Sequence, residues 1–198
     1  MKSLPILGRE PPERADAARN RVRILAAAER LFAGRGVETV SMDEIAAAAG
    51  VGKGTLYRRF TDKAGLGIAV LDARERELQD AILSGPPPLG PGAPPRARVV
   101  AFVDAYLDYA WRNLELLVVA ETASAGGRYR SGVYGGFRHH VEILLAAAGA
   151  SDPPIGAELL LAPLAGDLLR HLRIERGFSS DAIRSGVVGL VANVVGPA

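Results

Sequence analysis

Between Lys53 and Lys63 the chain reads KGTLYRRFTDK, and Lys53, Thr55, Tyr57, Arg58, Arg59 and Lys63 supply cations and hydroxyls within one short segment. Ammonium and guanidinium groups beside hydroxyl donors are the chemistry of phosphate binding, and lysine or arginine also reaches guanine O6 and N7 in the major groove. Helical spacing turns Leu56 and Phe60 inward at i, i+4 and leaves the polar residues outside. The segment is too polar and too basic for a core helix. Lys53 and Gly54 open it: glycine lets the backbone come close to DNA, while lysine reaches a base edge or a phosphate. Thr55 suits a phosphate or a thymine methyl.

Such a helix needs a scaffold, and the preceding residues encode one. Ser41 followed by Glu44 fits a capping box. Met42, Ile45, Ala46 and Ala49 then form one apolar stripe, and Gly50 supplies the left-handed residue that ends the helix. Two short helices joined through Gly50-Val51-Gly52, the second bearing cations, match the helix-turn-helix plan for the major groove. Ser41 and Thr39, at the entry of the first of the two, are further phosphate candidates. Upstream, Asp16 to Gly34 reads as a helix capped by Asp16, with Ile24, Leu25, Ala28, Leu31 and Phe32 on one face and Gly34 and Gly36 at its end. Residues 1–14, with Pro5, Pro11 and Pro12, read as a flexible tail; Lys2, Arg9 and Arg14 are the cations that an arm to DNA would use.

Charge supports this placement. Residues 1–60 carry eleven Lys or Arg against seven Asp or Glu, a balance of +4, and residues 61–198 carry thirteen against fifteen, a balance of −2. The excess of cations lies in the third of the chain that holds the helix pair. The absence of cysteine excludes disulfides, thiolate metal sites and cysteine nucleophiles. His139 and His140 point in different directions on a helix, and with only His171 besides, no metal and no cofactor are expected. There is no nucleophile–base constellation, so no enzyme is expected. No apolar run approaches the roughly 18 residues of a membrane span, so no membrane partner is expected. The N-terminus lacks the apolar core of a secretory signal and predicts a cytoplasmic protein. The GVGKGT stretch invites a phosphate-loop reading, but Ala47 and Gly54 stand where that loop needs Gly and Ser or Thr. Thr55, preceded by a helix, likewise rules out a dinucleotide fingerprint.

No segment shows a period of two, and the fold class is all-α. A long connecting helix spans 62–84, capped by Thr61 or Asp62. GPPPLGPGAPP, residues 85–95, is a linker biased to extended conformation. Helices follow at 96–112, 114–124, 134–149, 153–176 and from Ser179 or Ser180 to about 195, with the loop AGGRYRSG between the second and third of these.

Gly50 to Leu66, GVGKGTLYRRFTDKAGL, resembles the recognition-helix signature of the TetR family of bacterial transcriptional regulators. Asp16 to Ser84 is similar throughout to that family's N-terminal DNA-binding domain. The resemblance rests on the alanine-rich first helix ending in Leu31-Phe32, the Gly36 turn, Ser41-Met42-Asp43-Glu44-Ile45-Ala46, Gly50-Val51, Lys53 to Tyr57, Phe60 and Lys63. It covers about a third of the chain and implies a flexible tail at 1–14, a DNA-binding domain at 15–62 and a ligand-binding and dimerisation domain at 63–198. It further implies that Tyr57 and Lys63 contact phosphate. Arg59 stands where the family often has His or Tyr, which adds a phosphate contact and leaves base preference there open.

For the C-terminal part the resemblance implies a small-molecule effector pocket, with Phe102, Tyr106, Trp111, Glu121, Tyr134, Phe137 and His140 as candidates and Arg128 and His139 beside them. It also implies a homodimer formed by the last two helices, through Leu164, Leu168, Leu172, Val187, Leu190, Val191 and Val194. The expected function is a regulator, most often a repressor, released from double-stranded operator DNA by an effector. The alternative is a helical small-molecule-binding or interaction protein that kept the fold without operator recognition.

Overall fold

The computed structural model describes residues 12–122 and 124–194, with the side chains of 16–122 and 124–191. Lys2, Arg9, the side chain of Arg14, the side chain of Val194 and the end of the last helix fall outside these. Among the described residues every regular element is helical. The protein is all-α, an N-terminal helix-turn-helix domain followed by a C-terminal helical domain. Two compact units divide after Val70, inside a helix and not at its start.

In the first unit α1 spans Pro12–Arg35. It begins before the expected cap, so Asp16 lies within it and pairs with Arg19 one turn on. Gly34 remains helical. Gly36 ends the helix at φ +81°, donating its N–H to the Phe32 carbonyl at 2.8 Å, a conformation that costs glycine nothing. Helix α2 (Met42–Ala49) buries Met42, Ile45, Ala46 and Ala49 against α1. Gly50, at φ 61°, closes it in the left-handed region. Helix α3 (Lys53–Arg59) sinks Leu56 into the unit, and Phe60 follows as its buried C-cap. Helix α4 (Lys63–Ser84) is capped by Asp62, whose carboxylate accepts the Gly65 N–H at 2.8 Å. Its buried residues Leu66, Ala69 and Val70 belong to the first unit, and Leu71, Leu78 and Ile82 to the second.

The second unit continues with α5 (Pro95–Arg112), α6 (Leu114–Thr122), α7 (Gly127–Arg130), α8 (Gly132–Ala147), α9 (Pro153–Leu161), α10 (Gly166–Arg170) and α11 (Ser180–Val194). Helix α8 packs on α9 and α5, α6 on α10, and α11 on α5. Phe102, Leu107, Leu145, Leu160, Leu161, Leu164 and Leu169 are fully buried at its centre.

Three expectations are corrected here. The proline-rich segment is not extended: it folds back in turns, with the Gly90 N–H on the Pro86 carbonyl at 3.0 Å. Gly90 sits so close to Gly85 that a Cβ would lie 1.8 Å from the Gly85 carbonyl oxygen. Arg98 draws the segment in, donating to the carbonyls of Ile82 at 2.9 Å and Leu89 at 3.4 Å. The expected loop after α6 contains the short α7. The expected single helix 153–176 is broken. Pro163 lacks the N–H that would continue α9; a 3₁₀ turn at Ala162–Leu164, extended Ala165 and then α10 follow, leading into a π-helical turn at His171–Glu175.

The break leaves carbonyls and N–H groups that helix bonds would have used, and one buried ion pair takes them up. Arg128, 8 % exposed, donates to the carbonyls of Leu161 at 2.9 Å and Leu164 at 3.3 Å. It also pairs with Glu121, whose other oxygen accepts the Gly166 N–H at 2.7 Å. Gly166 eases that approach, since a Cβ there would crowd the side chains of Leu117 and Glu121 at 3.1 Å. A buried pair with these further hydrogen bonds, in which only the Arg128 Nε–H lacks an acceptor, offsets much of the cost of its desolvation.

Candidate nucleic-acid interface

The geometry of α3 follows from how tightly α2 is capped. The Ser41 hydroxyl accepts the Glu44 N–H at 3.2 Å, and the Glu44 carboxylate takes the Ser41 N–H at 2.9 Å and its hydroxyl at 2.8 Å. Arg35 adds an ion pair to Glu44 at 2.7 Å. These donors, the Ser41 backbone N–H first and Arg35 next, hold the Glu44 carboxyl down at about 2. The capping box thus ties the end of α1 to the start of α2, and α2 presents α3.

The predicted DNA-facing residues fall into two groups. Tyr57, 49 % exposed, and Arg58 lie on the outer side of α3 and make no hydrogen bond or ion pair among the described residues. Gly54 is exposed, with no atom within 4 Å of where a Cβ would stand. Thr55 is half-buried beside them. The other group is engaged within the protein. Lys53 reaches Asp43 of α2 at 2.5 Å, which holds its ammonium above the ordinary range. Lys63 donates to the Glu38 carbonyl at 2.9 Å. Arg59 donates to the Ala17 carbonyl at 3.0 Å and so braces α3 against α1. The hydroxyl of Thr39 bonds the carbonyls of Arg35 and Gly36, and that of Ser41 is committed to its cap. All but Thr55 and Lys63 are exposed, but only the first group is unencumbered.

Two cations unmarked by the sequence reading of this interface support it from behind. Arg21 lies over the Phe60 ring, 5.5 Å from its centre. Arg23 bonds Asn20 at 2.7 Å and the Gly50 carbonyl at 3.4 Å. Their positions on the non-core side of α1 are legible as a pattern, but which neighbour each one meets depends on the packing of α1 on the helix pair.

The second unit holds a cavity of about 80 Å³. Of the expected pocket residues, Tyr106, Glu121, Tyr134 and Phe137 line it, and three do not. Phe102 is core, stacked 5.5 Å from Phe137. Trp111 lies under Arg173 at 5.8 Å. His140 meets Phe102 edge-on at 5.7 Å, its Nε2 buried without a protein partner; burial, and secondarily the charge of Arg98, push it down to about 4. The reading missed Glu75 and Tyr109, which also line the cavity. Glu75 had a signal: it falls in helical register with buried Leu71, Leu78 and Ile82, a carboxylate on an apolar stripe.

The expected dimer residues also divide. Leu164 and Val191 are 0 % exposed and have no surface left to offer a partner, because the break after α9 turns Leu164 into the core. Leu168 and Leu190, 38 % and 52 % exposed, face outward. Leu172, Val187 and Leu190, with Phe178 and Pro163, line an open groove of about 340 Å³ whose surface is almost wholly apolar. Among the described residues no helix is long and apolar enough to cross a membrane, and no cluster of potential metal ligands occurs.

Residues 24–70 match the family model of bacterial regulatory proteins, tetR family. An HTH-type transcriptional regulator of Staphylococcus aureus is 50 % identical over 69 residues, 35 % of this chain and 36 % of that protein, so the chain spans about a third of the length of the relative it matches. A TetR transcriptional regulator from Streptomyces coelicolor is 26 % identical, with a TM-score of 0.61 over 89 % of this chain and 98 % of the other. A transcriptional regulator from Saccharomonospora viridis, solved in complex with choline, shares the fold at a TM-score of 0.70 and 22 % identity, over 88 % and 96 % of the two chains.

Proposed function

We propose that this chain, which belongs to the tetR family of bacterial regulatory proteins, is a homodimeric repressor that a small-molecule effector releases from operator DNA. The observation that carries the reading is the outer face of α3, where Gly54, Tyr57 and Arg58 are exposed and uncommitted on a helix held by a capping box. Each subunit would lay α3 in a major groove, with half-sites about one helical turn (~34 Å) apart. Lys53 and Lys63 would exchange Asp43 and the Glu38 carbonyl for phosphate or base edges on contact with DNA. Tyr57 and Lys63 act as sequence-independent anchors, and Lys53, Thr55 and Arg58 as candidate base readers.

A second copy would cover the apolar groove around Phe178 and Leu190, as an exposed patch of this kind favours. The effector would occupy the cavity of the second unit. By linkage it must bind the DNA-free state better, by the factor by which it weakens operator affinity. The structural neighbour solved with bound choline supports this reading.

Selection of binding sites from a randomised duplex library, followed by mobility-shift titration at several salt concentrations, tests the proposal. It requires a pseudo-palindromic site and a steep fall of affinity with salt. Recovery of no preferred sequence would overturn it. Leu190→Glu should give a monomer by sedimentation and lose most operator affinity.

A further inference from the structure

We propose that the cavity walled by Tyr106, Tyr109, Tyr134 and Phe137, with Glu75 at its edge, binds the head group of a small organic cation. The proposal rests on the reading of the second unit as a ligand-binding domain and gives that ligand a chemical class.

Charge accounting carries it. Two acidic side chains and one basic one line the cavity: Glu75, Glu121 and Arg128. Arg128 and Glu121 neutralise one another and are bonded to the broken α9–α10 segment, leaving only the Arg128 Nε–H without an acceptor. One donor is too little to hold an anion against two carboxylates. Glu75 is different. Its single hydrogen bond among the described residues comes from the Tyr109 hydroxyl at 3.0 Å. Burial first, and then the negative charges of Asp72 and Glu121, raise its pKa. A half-buried carboxylate among like charges, with no ion pair among the described residues, is stabilised by a cation that enters from outside.

The walls fit the same ligand. Tyr106 stands edge-on to Tyr109 at 5.5 Å and to Phe137 at 5.8 Å, so the rings are fixed by one another. Aromatic faces attract a desolvated cation, and quaternary ammonium groups most typically use such walls. Size sets a limit. A cavity of about 80 Å³ is the volume of roughly two to three waters at about 30 Å³ each. A methylated ammonium head, with up to five heavy atoms, would fill it and protrude, and the rest of a larger ligand would lie outside.

The test uses three compact, branched probes on the whole chain: tetramethylammonium, uncharged tert-butanol and anionic pivalate. Calorimetric titration should give a saturable, millimolar or tighter site for tetramethylammonium alone. Glu75→Gln keeps an acceptor for Tyr109 and removes the charge. It should weaken tetramethylammonium binding at least tenfold while raising the melting temperature of the ligand-free protein, which shows that the variant folds. Pivalate or tert-butanol binding as tightly as the cation, cation binding unchanged in Glu75→Gln, or no cation binding at all would each overturn the proposal. Operator affinity measured with tetramethylammonium present reports separately on the effector reading. Glu75-dependent binding that leaves DNA affinity unchanged upholds the cation site and removes only the claim of release.

Discussion

Gly54→Ala separates what α3 needs for folding from what it needs for DNA. Gly54 is the second residue of α3, at negative φ, and an added Cβ meets nothing within 4 Å. The protein itself therefore has no steric reason for glycine there. Alanine should stabilise the fold by about 0.5–1 kcal/mol through helix propensity and a less flexible unfolded chain. For a chain of this length that is a rise of roughly 1–4 °C in melting temperature. If α3 enters the major groove by its N-terminal end, the new methyl stands between backbone and DNA, and affinity for the selected site should fall at least about tenfold, or ~1.4 kcal/mol. Calorimetry and fluorescence anisotropy on the same preparation read both effects. Gly135→Ala is the control: Gly135 lies inside α8 with equally open space around its Cα, so it should gain stability and leave DNA binding unchanged. A Gly54→Ala protein that binds the selected site as well as the native one refutes the close approach of this end of α3 to DNA.

Tyr57→Phe and Lys63→Ala should each weaken binding to all duplex sequences by similar factors, and Lys63→Ala should lower the salt slope by about one; a change of sequence preference in mobility-shift competition would instead make either a base reader. Ser41→Ala should lower stability by about 1 kcal/mol in thermal unfolding, the usual cost of losing such a cap. The Glu44 carboxyl is held down at about 2, below its unfolded value, so its contribution is complete above about pH 4.5 and is lost as pH falls towards 2. Glu44→Gln should flatten the acid limb of the stability curve measured by circular dichroism over that range. His140 is neutral in the fold, held down at about 4 against an ordinary value near 6.5. The unfolded chain therefore binds the extra proton, and stability should decline as pH drops from about 6.5 to 4, by on the order of 1–2 kcal/mol after allowing for its partial exposure to solvent. Melting temperatures of His140→Asn should lack that decline.

The helix-turn-helix was legible from sequence because its determinants are local. A capping box spans three residues, a left-handed glycine is one residue, and the stripe Met42, Ile45, Ala46, Ala49 repeats within two turns, so each can be seen without knowing what packs against it. The exposure of Tyr57 and Arg58 followed from the same periodicity. What α3's remaining cations do was not legible. Arg59 holds the Ala17 carbonyl, Lys53 holds Asp43 and Lys63 holds the Glu38 carbonyl, and these contacts arise only when α1, α2 and α3 are brought together. Tertiary structure alone decided the second unit. Pro163 marked a possible break, but whether a chain tolerates it depends on partners for the freed carbonyls, and Arg128 and Glu121 come from 33 to 45 residues away to supply them. That break goes with a buried Leu164 and an exposed Leu168, while the packing of the second unit sets Glu75 beside Tyr109. Local spacing specifies a helix and the face it will bury; which charge is left without a counter-charge is a property of the assembled packing.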